Sequence, residues 1–281
     1  MKSIKTFASV LIMGLLSFSV TAQDLPQPSP HATFTQRVGV TDISMDYSRP
    51  AVRGREIWGG LVPYDKVWRA GANSSTKIEF STDVKIGDIK VKAGKYALYI
   101  LPSEDAFVFI VSNYIDGWGV GEYTEKTDVV RVKAAIDKNQ MAQENLLFSI
   151  DKITNSTCVL SLTWGNVKSS FDISINTNEF AQEILKASVA KADGSFSVYN
   201  KAATYLLEND GDKEEALKLA IKSTNLQKKF WNVTVLAEAY AANDDKKMAV
   251  KTAKEALAMS EDAKYDSYIK RNKGNLEKWG K

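Results

Sequence analysis

Cysteine and histidine are nearly absent from this chain: each occurs once, as Cys158 and His31. A single cysteine excludes an internal disulfide, and its place in the alternating run TCVLSLTW reads as a small apolar core residue. A single histidine excludes a histidine-rich metal site within one chain. Any Ser–His–Asp triad would need His31, and no G-x-S-x-G elbow is present. His31 follows a proline-rich stretch, where a hydrogen bond at the start of an element is the plainer role. Charge of one sign is also lacking, with 37 Lys+Arg against 34 Asp+Glu. No basic stripe follows any element, so nucleic acid is not an expected partner. Long apolar runs are missing beyond the N-terminus, so no membrane span is expected in the mature chain. No cofactor or metal is expected.

What is present begins with an address. Lys2 and Lys5 precede an apolar run from Phe7 to Phe18, which is short for a transmembrane helix. Val20-Thr21-Ala22 supplies small residues for cleavage before Gln23. Residues 1–22 therefore read as a signal peptide and 23–33 as a proline-rich leader. The mature protein is expected to be periplasmic or secreted, with a formal charge of about +1.

From residue 34 to 177 the apolar period is two. Val84-Lys-Ile86 and Ile89-Lys-Val91 flank Gly87-Asp88 as a hairpin. KYALYIL and AFVFIVS follow, separated by a turn near Pro102. The alternating runs at Leu146–Ile150, Cys158–Trp164 and Val167–Ile175 make a meander, with Gly165-Asn166 as its second turn. Short strands separated by turn signals give an antiparallel β-sandwich or barrel. From 178 to 281 the period becomes helical. Asn178 is placed to cap a helix that stops at Asp193-Gly194, and Ser195 or Ser197 to cap the next.

Aligning Ala216 with Ala249 lays DKEEALKLAIKS over DKKMAVKTAKEA, a repeat of roughly 33 residues. Leu236, Ala237 and Tyr240 precede Ala249 and Ala256 at the spacing of a tetratricopeptide repeat, although the first copy has Leu207 and Ser223 where the second has Tyr240 and Ala256. Residues 196–260 thus resemble tetratricopeptide repeats. The resemblance implies a short helical array suited to a peptide or protein partner.

The chain's densest chemistry lies between Tyr47 and Asn73. Arg49, Arg53, Arg55 and Arg69 occur there with Trp58, Trp68 and Tyr64, among glycines and prolines. Arginine forks bind anions and aromatic faces stack on rings. A second loop, SNYIDGWGVGEYTEK, carries Trp118 between two glycines, either as a plug beneath the loop or as an exposed platform, the plug being preferred. Candidate ligand-binding residues are therefore Arg49, Arg53, Arg55, Trp58, Tyr64, Trp68, Arg69, Asn73 and Trp118. If Trp68 and Arg69 are extended, their side chains point to opposite faces, with Trp68 toward the core.

Several motifs in order resemble the secreted bacterial family known as domain of unknown function 2911. They are Ser29-Pro30-His31-Ala32, Tyr47-Ser48-Arg49-Pro50, Arg53-Gly54-Arg55, Leu61-Val62-Pro63-Tyr64, Trp68-Arg69-Ala70-Gly71-Ala72-Asn73 and Lys92-Ala93-Gly94-Lys95-Tyr96. The resemblance spans about residues 27–175. It implies an exported β-rich domain, often followed by helical repeats, and no reaction.

Three functions stay open. The first is a binding module for a small anionic or saccharide ligand. The second is an envelope- or glycan-directed hydrolase, for which Glu56, Asp65, Asp116 and Glu122 lie in loops able to supply paired carboxylates. The third is a structural protein whose arginines pair with Asp42, Asp46 or Glu56 as an internal brace. The absences weigh against an enzyme.

Overall fold

The fold is taken from a computed structural model that describes residues 26–192 and 194–280. The expected signal peptide and its expected cleavage site, and Asp193 at the expected helix stop, lie outside the described residues.

The first half is an antiparallel sheet of eleven strands rolled into a nearly closed barrel. The strands are β1 (His31–Val38), β2 (Thr41–Ser48), β3 (Thr76–Phe80), β4 (Val84–Ile86), β5 (Ile89–Val91), β6 (Gly94–Pro102), β7 (Ala106–Ser112), β8 (Asp128–Asp137), β9 (Gln143–Asp151), β10 (Thr157–Gly165) and β11 (Val167–Ile175). Around the barrel they run β1-β2-β3-β6-β7-β8-β11-β10-β9, and the β4–β5 hairpin joins through β11. Strand β1 begins at His31, inside the stretch expected to be leader, and His31 Nε2 lies 2.8 Å from Asp46 Oδ1.

Alternation in β2 puts Ile43, Met45 and Tyr47 into one core with Ile78, Phe80, Leu98, Phe109, Phe148, Leu160 and Phe171. Cys158 belongs to that core, where burial, then the nearby Asp172, pushes its thiol up to about 11. Strand β6 breaks the alternation because it is covered on both faces. Tyr96, Leu98 and Ile100 face the barrel core, while Ala97 and Tyr99 pack outside it with Ile110, beneath Val67, Tyr114, Ile115 and Tyr123.

Two seams make the site. The first closes the barrel: after β2 the chain bends along β9, where Leu146 N–H donates to Pro50 O at 2.9 Å and Val52 N–H to Glu144 O at 2.8 Å. In the second, Trp68 exchanges both backbone bonds with Ile100 on β6, at 2.7 and 2.9 Å. The segment between them is thereby laid across one end of the barrel.

The second half is six helices: α1 (Thr177–Lys191), α2 (Phe196–Glu208), α3 (Lys213–Leu226), α4 (Phe230–Ala242), α5 (Lys246–Asp262) and α6 (Asp266–Trp279). Asp212 and Asp245, equivalent in the repeat, cap α3 and α5 by accepting the N–H of Glu215 and Met248, each at 3.0 Å. Fully buried Ala216, Ala220, Ala249, Ala253 and Ala256 let the paired helices approach closely. Ser223 replaces alanine in the first copy, and its buried hydroxyl is satisfied by Phe196 O and Asn232. The cap of α1 differs from expectation. Asn176 occupies the N-cap and bonds to the Glu179 carboxylate, while Asn178 lies inside the helix and accepts from Tyr205. The turn into α1 starts immediately after β11, which leaves Asn178 too far along to cap it.

Candidate functional site

Three tryptophans plug the end of the barrel crossed by the loop. Trp68 stacks on Trp164 with centroids 5.7 Å apart and planes 16° from parallel, and Trp58 meets both edge-on at 5.7 and 6.0 Å. Each indole N–H is spent internally: Trp58 on Trp164 O, Trp68 on Gly71 O, and Trp164 on Glu144 O. Trp68 therefore faces the core as expected from its alternation with Arg69. Trp58 packs at 4.5 Å on Phe107, as a wall rather than a free stacking face.

Over this plug lies a cavity of about 280 Å³ lined by Arg53, Arg55 and Arg69, with Trp68 and Trp164 at its base. Its remaining wall includes Pro28 and Ser29. That wall is pinned by three bonds to successive carbonyls: Arg53 Nη2 to Pro28 O at 2.8 Å, Asn73 Nδ2 to Ser29 O at 3.4 Å, and Arg49 N–H to Pro30 O at 2.9 Å. No carboxylate is among the residues lining this cavity.

The expected pairing of these arginines with acids is not what the fold contains. Asp42 is taken by Arg37 and Asp46 by His31. Among the described residues, Arg49, Arg53, Arg55 and Arg69 form no ion pair; backbone carbonyls take the bonds instead. Arg49 Nε donates to Leu146 O at 2.8 Å across the barrel seam. Arg55 donates to Val52 O at 3.1 Å and Ala51 O at 2.6 Å, tightening its own turn. A carbonyl satisfies a guanidinium hydrogen without cancelling its charge, so the bracing leaves the positive field intact. Arg69 is different again: its Nε is buried and has no hydrogen-bond partner.

The backbone that presents these groups is strained. Arg53, Asp65, Ala70 and Asn73 have φ of 51°, 57°, 55° and 59°. Left-handed backbone in a residue with a Cβ costs roughly 1–2 kcal/mol. The cost at Ala70 is held by its burial and by Thr76 Oγ1, which donates to Ala70 O at 2.8 Å. Such strain clusters where geometry matters more than stability.

Not every candidate residue reaches this cavity. Arg49 belongs to the seam. Asn73 is spent on Ser48 Oγ and Ser29 O. Tyr64 lines a separate cavity with Trp58 and Arg55, and its phenol is pushed up by burial, then by Glu104 and Glu56. Trp118 is not the plug that was preferred, for its residue surface is 80% exposed. The reason is local. Gly117 lies against Tyr114, Tyr99 and Ser75 too closely to admit a Cβ, and Tyr114 and Ile115 already cover β6–β7, so the next side chain turns outward. The two loops do meet: Ser75 Oγ donates to Gly117 O at 2.8 Å, and a Cβ on Gly119 would lie 3.9 Å from Arg69 Nη1.

Trp164 and the Pro28–Ser29 wall were missing from the sequence-derived site. The only signal for either was indirect, in the Ser-Pro-His motif and in a large aromatic ending a core strand.

A family model described as a protein of unknown function, DUF2911, matches residues 29–173. The chain belongs to the DUF2911 family. The match runs from Ser29 in the pinned wall to Ile173, two residues before the end of β11, so the DUF2911 region takes in the barrel, the tryptophan plug and all of the arginine cavity's lining but Pro28, and leaves the six helices outside it. No curated protein and no solved structure matches the chain.

Proposed function

We propose that this is an exported binding protein that takes a small anion in the cavity formed by Arg53, Arg55 and Arg69, with the helical repeats as the part that meets a peptide or protein partner. The observation that carries this reading is a cavity lined by Arg53, Arg55 and Arg69 and by no acid, beside which the buried Arg69 Nε has no hydrogen-bond partner. A buried donor left unmade costs about 1–3 kcal/mol. An anion in the cavity would offset the repulsion among its arginines and give the Arg69 guanidinium a partner on turning toward it. The brace reading is favoured for Arg49, whose bond closes the barrel and which does not line the cavity; Arg53 and Arg55 brace and line it at once. Hydrolysis by paired carboxylates finds no acid among the cavity's lining residues.

Thermal shift and titration calorimetry with phosphate, acetate, glucuronate and amino acids test the proposal. Wild type should be stabilised by at least one of these anions. Arg69→Lys keeps the charge and loses the planar fork, so binding should weaken about ten-fold while the melting temperature of the free protein hardly moves. Arg49→Lys should do the reverse, lowering stability with little effect on binding. A wild type that responds to no anion, together with an unstable Arg69→Lys protein, would replace this reading with the structural one.

A further inference from the structure

The cavity at Arg69 has a neighbour of a different character. A second cavity, of about 350 Å³, has Trp58, Phe107, Ile136 and Val167 as its apolar lining. Its charged groups are Arg55, Lys138 and Glu56. One acid beside two bases, one of them shared with the arginine cavity, suits an uncharged group better than a second anion.

The wall between the two cavities is the turn from Ala51 to Arg55. Ala51 and Arg53 line the first cavity and Val52 lines the second, so the turn stands between the two. Arg55 lines both, and its guanidinium bonds to Ala51 O and Val52 O, so the same fork fixes the wall and faces each side. Each cavity alone stands at the lower end of small-molecule sites, which begin near about 300 Å³. The two share Arg55 at their boundary, so a ligand with two parts would have to lie over it to reach both.

Resting on the anion-binding reading above, we propose that one ligand occupies both cavities. It is an organic acid whose carboxylate meets Arg53, Arg55 and Arg69, and whose ring or branched alkyl group lies against Trp58 and Phe107. The first cavity supplies charge and orientation; the second supplies apolar burial and selectivity.

Titration calorimetry of the full mature chain with acetate, phenylacetate, 3-phenylpropionate and 4-phenylbutyrate, and with inorganic phosphate, tests this. The best aryl acid should bind about ten-fold or more tightly than acetate. Ile136→Trp, which fills the second cavity, should erase that gain and leave phosphate binding unchanged. Lys138→Trp, at an exposed position on the same cavity, gives a second variant should the first fail to fold. Aryl acids that bind no better than acetate, while acetate and phosphate do bind, would overturn the two-part ligand and leave the anion site standing. A gain that survives both tryptophan variants would overturn it equally. Absence of binding by every anion would overturn both readings.

Discussion

Trp68 stacks on Trp164 almost face to face, a contact between a loop residue and the last inward position of β10. Through it the loop that presents the arginines is anchored to the barrel core, and the anchor and the cavity base are the same two rings. The proposed anion site and the stability of this end of the barrel are therefore coupled. Trp68→Ala should cost about 3 kcal/mol, the low end of the range for losing a large aromatic, because Trp68 is half-buried. It should also abolish the anion response, because Arg69 is the next residue. Denaturant unfolding of wild type and variant measures the first effect. A loss under about 1 kcal/mol would mean that the loop holds its place without the stack.

Trp118 makes the opposite case. With 80% of its surface exposed, it contributes little to packing. Trp118→Ala should leave stability within about 0.5 kcal/mol, as for a surface position. Iodide should quench emission less in the Trp118→Ala protein than in wild type, since Trp164 is buried and Trp58, Trp68, Trp231 and Trp279 are half-buried. A drop in melting temperature of several degrees would restore the plug role first expected for it.

The β4–β5 hairpin carries an acid-sensitive contact. Asp83 is held down to about 2, first by its bond from Lys92, then by the Ala93 N–H, and further by Lys90. A carboxyl depressed in the folded state stabilises at pH above its unfolded value, near about 3.9, and the stabilisation is lost as pH falls through the folded value. Stability should therefore decline between about pH 4 and pH 2, with Asp83 contributing about 1 kcal/mol after allowance for solvent screening. Asp83→Asn should be less stable at neutral pH and flatter across that window. Parallel acid titrations of the two proteins, followed by circular dichroism, check the slope.

Much of this architecture was legible because its signals are local. Gly87-Asp88 between two alternating triplets makes the β4–β5 hairpin, and Gly165-Asn166 makes the β10–β11 turn. Asp212 and Asp245 match in sequence and cap in the same way. The repeat of small residues is likewise read directly from Ala216 and Ala249. What was not legible depends on partners distant in the chain. That Arg49 would reach Leu146, and that Pro50–Val52 would run along β9, follows only once the barrel curls round to bring them together. The choice of carbonyls over carboxylates by Arg49 and Arg53 was hidden for the same reason: Arg37 stands directly across the β1–β2 ladder from Asp42, and His31 reaches Asp46 from two positions along it. Trp118 was misjudged because its burial depended on how little room Gly117 would have, and nothing in the run of residues gives that.

The barrel seam also bears on how these molecules behave toward one another. An open barrel would leave the outer edge of β9 as a row of free N–H and C=O groups, a template onto which another chain could add a strand. Pro50–Val52 occupies that edge at Glu144–Leu146 with a segment that forms only a short ladder before turning away. Ala51, between the two bonded positions, turns its N–H and C=O outward, and its carbonyl is already taken by Arg55 Nη2, so the segment makes a poor template for a further strand. Closing the barrel with a proline-led loop instead of a full strand thus caps a sticky edge, and a chain whose loop is displaced should self-associate before it unfolds.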